Sequence, residues 1–161
     1  MDIIQYRKRT YMSHDHITVK MLYMMCKSGK IQYPQFLDEQ EEVEWSAIEK
    51  SYFIESILMD LPVAPIVGNG TFEGSILLYD GRNKVYTLNS FLDGGFPLVG
   101  LEVLSAYNGL RFHELPQFLQ TRILNYMIDL FVVGPNTPPE LADDILGRIN
   151  LRPANIKRKE I

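Results

Sequence analysis

Asp80-Gly81-Arg82-Asn83-Lys84 sets a carboxylate, a glycine, two cations and an amide in consecutive positions. They follow a short apolar run, residues 75–79, that reads as a buried strand. They precede a stretch in which Val85, Leu88 and Leu92 recur at helical spacing. A strand end, a turn and a helix N-terminus therefore meet at Gly81. Glycine at such a junction lets backbone N–H groups approach a phosphate closely, and the unpaired N–H groups of a first helical turn attract negative charge. Arg82 and Lys84 can add charge-assisted hydrogen bonds, Asn83 can bond a base, sugar or phosphate oxygen, and Asp80 can hold Mg²⁺ or orient water. This is chemistry suited to an NTP with Mg²⁺. The plainer reading of the same residues is turn chemistry, with Asp80 serving only as the helix N-cap.

Other residue types with chemical potential have less support. His14, Asp15 and His16 invite a metal reading, but no further ligand cluster has a recognisable spacing. They read as solvated residues at a helix start, and no metal site is assigned. His113, beside Glu114, has no nucleophile motif nearby and reads as a surface histidine. Glu55 and Ser56 read as the partly exposed flank of a helix, the alternative being that they line the nucleotide cleft. Cys26 is the only cysteine, which excludes an internal disulfide and a cysteine-clustered zinc site; it reads as a buried, inert thiol. Trp45 is explained by packing over the helix that follows it.

The elements that must position these groups are marked by caps and periodicity. Asp15 is placed to cap a helix running through residues 21–25 and ending at Gly29. Asp38, Glu39, Glu41, Glu42, Glu44 and Glu49 contain no basic residue among them and read as a solvated stretch able to meet a basic partner. Ser46 and Glu49 have capping-box spacing and open a helix over 46–61, with Ile54, Ile57, Leu58 and Leu61 on one face before Pro62. Residues 114–126 fit a helix and 128–133 a strand. Thr137-Pro138-Pro139-Glu140 repeats the capping-box spacing ahead of Leu141, Ile145, Leu146 and Ile149. Strands and helices are mixed along the chain, which predicts an α/β or α+β fold.

Composition narrows the classes. A chain of 161 residues, 46% hydrophobic, suits one domain over residues 1–161 with a continuous core. Charged residues make up 22% and the formal net charge is −4. That balance disfavours both a disordered polyelectrolyte and a strongly basic nucleic-acid binder, so nucleic-acid affinity is expected to be weak or absent. Lys157, Arg158 and Lys159 alone are too few charges to change this. No apolar run approaches the roughly 20 residues of a membrane helix, and residues 1–10 lack a secretory pattern. A cytoplasmic location is expected, host cytoplasm if the source is viral.

Two blocks stand in a telling order. Phe53-Ile54-Glu55-Ser56-Ile57-Leu58-Met59-Asp60-Leu61-Pro62-Val63-Ala64-Pro65-Ile66 is similar to L-I-E-S-I-L-L-G-I-P-I-P-P-I, and Tyr79-Asp80-Gly81-Arg82-Asn83-Lys84-Val85-Tyr86-Thr87-Leu88 to I-D-G-Q-Q-R-L-T-T-L. The chain thereby resembles the N-terminal domain of GmrSD-type modification-dependent restriction endonucleases. Phe91-Leu92-Asp93-Gly94, Asn108-Gly109-Leu110-Arg111-Phe112 with Leu115-Pro116, and Gly147-Arg148-Ile149-Asn150 extend the likeness over about residues 33–150. The resemblance implies a ParB/sulfiredoxin-like fold, a small mixed sheet with packed helices, and a nucleotide cleft at Asp80, Gly81, Arg82, Asn83 and Lys84.

Departures from the pattern shape the functional expectation. Tyr33-Pro34-Gln35-Phe36-Leu37 lacks the expected arginine and runs into the acidic stretch. Arg82 and Asn83 replace the two glutamines, and Lys84 replaces the arginine, keeping its charge without the bidentate fork. Relatives continue into a nuclease of the HNH class, whereas this sequence ends soon after Asn150, so DNA cleavage by this polypeptide alone is not expected. The expectation is a stand-alone nucleotide- or phosphate-binding regulatory module, carried by a phage or other mobile element and acting in defence or anti-defence. Its partners would be a nucleotide and a defence-system protein or separate effector chain. The rivals are a working Mg²⁺-dependent NTPase and a decoy that occupies a host defence protein.

Overall fold

Strand character in residues 127–133 comes from alternation: Ile128, Leu130 and Val132 point to one side of the backbone, Asp129, Phe131 and Val133 to the other. The computed structural model describes residues 2–33 and 45–149. In chain order these form α1 (Ile3–Arg9), β1 (Met12–Thr18), α2 (Val19–Lys27), β2 (Ile31–Gln32), α3 (Ala47–Leu58), β3 (Ile66–Gly70), β4 (Ile76–Asp80) and α4 (Arg82–Leu92). Two single-turn 3₁₀ helices, α5 (Gln117–Asn125), β5 (Met127–Val133) and α6 (Pro139–Ile149) follow. Pro34 to Leu37 of the departing segment, the acidic residues Asp38, Glu39, Glu41, Glu42 and Glu44, Asn150 and the Lys157, Arg158 and Lys159 cluster lie outside the described residues.

The five strands form one sheet in the order β1-β5-β3-β4-β2. β1 pairs antiparallel with β5 and β3 antiparallel with β4, while β3 with β5 and β2 with β4 are parallel. The fold is thus mixed α/β, with a mixed sheet and packed helices as expected. One sheet face carries the larger core, where Ile66, Leu78, Ile128 and Leu130 meet Leu22 of α2, Ile54 and Ile57 of α3, Phe91 of α4 and Ile123 of α5. The opposite face carries a smaller one, in which Val67 and Val133 pack with Ala142, Ile145 and Leu146 of α6.

Local signals hold where no long-range pairing competes. The capping box at α3 is present: the Glu49 backbone N–H donates to Ser46 Oγ at 3.2 Å and the Ser46 N–H to Glu49 Oε2 at 2.7 Å. Ser46→Ala is expected to cost about 1 kcal/mol of stability, read as a lower urea midpoint at unchanged m-value. An unchanged midpoint would mean the box adds nothing to the folded state.

Helix α3 ends at Leu58, three residues earlier than its apolar periodicity suggests. The Asp60 N–H bonds the Ile57 carbonyl and the Leu61 N–H the Ser56 carbonyl, a Schellman closure with Asp60 at φ 59°. Leu61 is consequently exposed instead of joining the helix's buried face.

Three other expectations are corrected. Asp15 caps no helix; it lies within β1, and Thr18 caps α2 by accepting the Met21 N–H at 3.1 Å. Seven paired positions with β5 outweigh the local cap signal. The second capping box is not formed, because α6 starts at Pro139, one residue too late for Thr137 to be its cap. Thr137 Oγ1 instead accepts the Tyr11 N–H at 3.3 Å, and Glu140 lies 3.7 Å from Arg9. Helix α5 begins at Gln117, since Phe112–Glu114 close a separate 3₁₀ turn before Pro116. Among the described residues no helix is long and apolar enough to cross a membrane.

Candidate functional site

The strand, turn and helix meet where the sequence places them. β4 ends at Asp80, Gly81 takes φ 97°, and α4 starts at Arg82. Two constraints select glycine here. The left-handed backbone is costly for other residues, and an added Cβ would stand 3.1 Å from Ile66 Cγ1 on β3. Gly81 is itself the N-cap and, lacking a side chain, makes no side-chain cap bond. Asp80 therefore does not act as the N-cap; it ends the strand opposite Val67.

Asp80, Arg82, Asn83 and Lys84 are all half-buried, and Gly81 is buried. Lys84 Nζ donates to the Pro65 carbonyl at 3.3 Å, and Asn83 Oδ1 accepts the Trp45 N–H at 3.4 Å. Both bonds tie the first turn of α4 to segments flanking α3. Between them lies a groove of about 450 Å³ walled by Trp45, Tyr52, Phe53, Ser56, Val63 and Lys84, among others. The Trp45 ring meets Phe53 edge-on at 5.3 Å, so the tryptophan does pack over the following helix as expected. Of the five-residue motif, Lys84 lines the groove, and Asp80, Gly81, Arg82 and Asn83 are not among its wall residues.

Glu55 and Ser56 separate. Ser56 is half-buried on the groove wall. Glu55 is buried, which corrects the reading as an exposed flank: its Oε1 accepts the N–H groups of Val103 at 3.0 Å and Leu104 at 2.8 Å. Ser51, one turn earlier, is also buried and accepts the Val99 N–H at 2.9 Å. The polar pair Ser51 and Glu55 at i and i+4 thus anchors the irregular chain over 99–104. The spacing is visible in the sequence, but nothing there marks what it holds.

Cys26 is half-buried, and burial pushes its thiol pKa up, in keeping with an inert group. His113 is exposed in its 3₁₀ turn. Near the far end of α4, Asp93 accepts hydrogen bonds from Lys27 Nζ at 2.8 Å and Tyr23 Oη at 2.6 Å. These bonds, Lys27 first, hold its carboxyl below the ordinary aspartate range and fasten α2 to α4. Nothing in the sequence marks Tyr52 as a groove wall, because its convergence on Lys84 depends on how α3 and α4 pack. Comparison with protein-family models, curated proteins and solved structures gives no match.

Proposed function

We propose that the chain is a phosphate- or nucleotide-binding regulatory module, ParB/sulfiredoxin-like in fold and related to the N-terminal domain of GmrSD-type restriction enzymes. The observation that carries the reading is the position of Lys84, an ammonium on the wall of an otherwise largely aromatic and apolar groove, in the first turn of α4. A phosphate there would meet the Lys84 cation and the N-terminal end of the helix, while a base would lie against Tyr52 or Trp45. Asp80, at the end of β4, would take part through Mg²⁺. Support for the family reading comes from Asp60. It stands at the glycine of the resembling block and holds φ 59°, a conformation that favours glycine.

Calorimetric titration with each NTP, with and without Mg²⁺, tests the reading. Binding is expected to strengthen with Mg²⁺, and Lys84→Ala should weaken it by at least about tenfold, the loss of one charge-assisted hydrogen bond. Tyr52→Ala should weaken NTP binding but leave inorganic triphosphate unaffected. Turnover is expected to be slow, since the motif's glutamines and arginine are replaced; rapid phosphate release would favour the NTPase. No binding at millimolar nucleotide would leave Asp80-Gly81 as turn chemistry and favour the decoy. Gly81→Val, which would also obstruct a phosphate, is a poor binding probe because its Cβ would press on Ile66.

A further inference from the structure

His14 and His16 occupy alternate positions of β1, so both side chains leave the same face of the sheet. The antiparallel register with β5 sets His16 directly opposite Asp129 and His14 opposite Phe131. His16 Nδ1 lies 2.6 Å and His14 Nε2 3.2 Å from the same carboxylate oxygen, Asp129 Oδ1. One ligand atom from each residue falls within a sphere of contacts no wider than 4.8 Å. The Phe131 ring stacks on His14 at 4.1 Å with an interplanar angle of 15°, which restrains the imidazole.

We propose that His14, His16 and Asp129 form a site for a divalent transition metal of the zinc class. A four-coordinate ion holds its ligands at about 2.0–2.2 Å, so ligand atoms stand roughly 3.3 Å from one another. Both observed nitrogen–oxygen distances, 2.6 and 3.2 Å, lie below that value, so side-chain rotations must draw the imidazoles and the carboxylate apart to admit the ion. Two imidazoles and one carboxylate favour Zn²⁺, Co²⁺, Ni²⁺ or Cu²⁺ over Mg²⁺, which prefers an all-oxygen octahedron. All three side chains keep more than 40% of their surface exposed, leaving room for water in the fourth position. Such an ion would clip β1, which among the described residues pairs only with β5, to its neighbour. The site is separate from the Lys84 groove and does not depend on the nucleotide reading.

The test uses untagged, chelator-treated full-length chain titrated with Co²⁺, whose visible absorption intensifies on four-coordinate binding, followed by displacement with Zn²⁺. Saturable uptake of one ion per chain with Kd below roughly 10 µM is expected, unaffected by equimolar Mg²⁺. His14→Gln, His16→Gln and Asp129→Asn, which keep hydrogen-bonding capacity at exposed positions, should each weaken uptake by at least about tenfold while far-UV circular dichroism stays unchanged. Paramagnetic broadening by Co²⁺ should centre on amides of β1 and β5. Wild-type affinity in any of the three variants, or broadening centred elsewhere, overturns the three-ligand site, as does failure to take up metal.

Discussion

Phe91→Ala is expected to lower the free energy of unfolding by about 3–5 kcal/mol, the usual range for removing a buried phenyl ring. Phe91 is 0% exposed, with the rings of Phe96 at 5.2 Å and Phe112 at 5.9 Å. It thereby joins α4 to the irregular chain that follows it. Its aromatic neighbours belong to a turn and a loop that are themselves held in place, so they cannot readily collapse into the vacated space. A domain of this size has a total stability of about 5–15 kcal/mol, so the variant would lose a large share of it. Urea unfolding at several temperatures would show this, and Phe91→Leu, retaining much of the volume, should lose less than half as much. A loss below about 1 kcal/mol for the alanine variant would mean that the surrounding side chains repack, and that the aromatic cluster does not hold α4.

Glu55→Ala is expected to cost about 2–4 kcal/mol, because it strips the acceptor from two backbone N–H groups. The effect should be local in origin. The chain over 99–104 is tied to α3 by Ser51 and Glu55, and Asn108 closes it further by accepting the Leu101 N–H at 2.9 Å. Glu55→Gln keeps an acceptor of similar reach and should lose under about 1 kcal/mol. The contrast separates the carboxylate's charge from its reach and capacity to accept: equal losses in the two variants would mean that the charge holds the loop. Hydrogen exchange at Val103 and Leu104 should accelerate in the alanine variant before global unfolding does.

Much of the scaffold around the candidate groove is legible in the sequence, for reasons that are local. The Ser46 and Glu49 box is satisfied within one turn of backbone, so its spacing suffices to locate the start of α3. The junction at Asp80 and Gly81 is equally local, since a strand that must turn straight into a helix needs a residue tolerant of positive φ. Helix ends were less legible. Asp60 stops α3 through a Schellman closure that competes with an apolar periodicity continuing to Leu61. Asp15 has the chemistry of a cap but is recruited into a ladder whose partner strand lies more than a hundred residues away.

By itself, then, the sequence determined the mixture of strands and helices, the capped start of α3, the Gly81 junction and the inward face of α4. Each depends on residues within a turn or two of one another. Tertiary structure alone decided which groups meet. Lys84 reaches a groove with Tyr52 because α3 and α4 pack side by side, and Glu55 turns inward because the chain over 99–104 passes over it. His14 and His16 find Asp129 because β1 adds to the edge of β5 in one register. A shift of one residue in that register would put the carboxylate on the opposite face of the sheet, and no local property of either strand reveals which register is adopted.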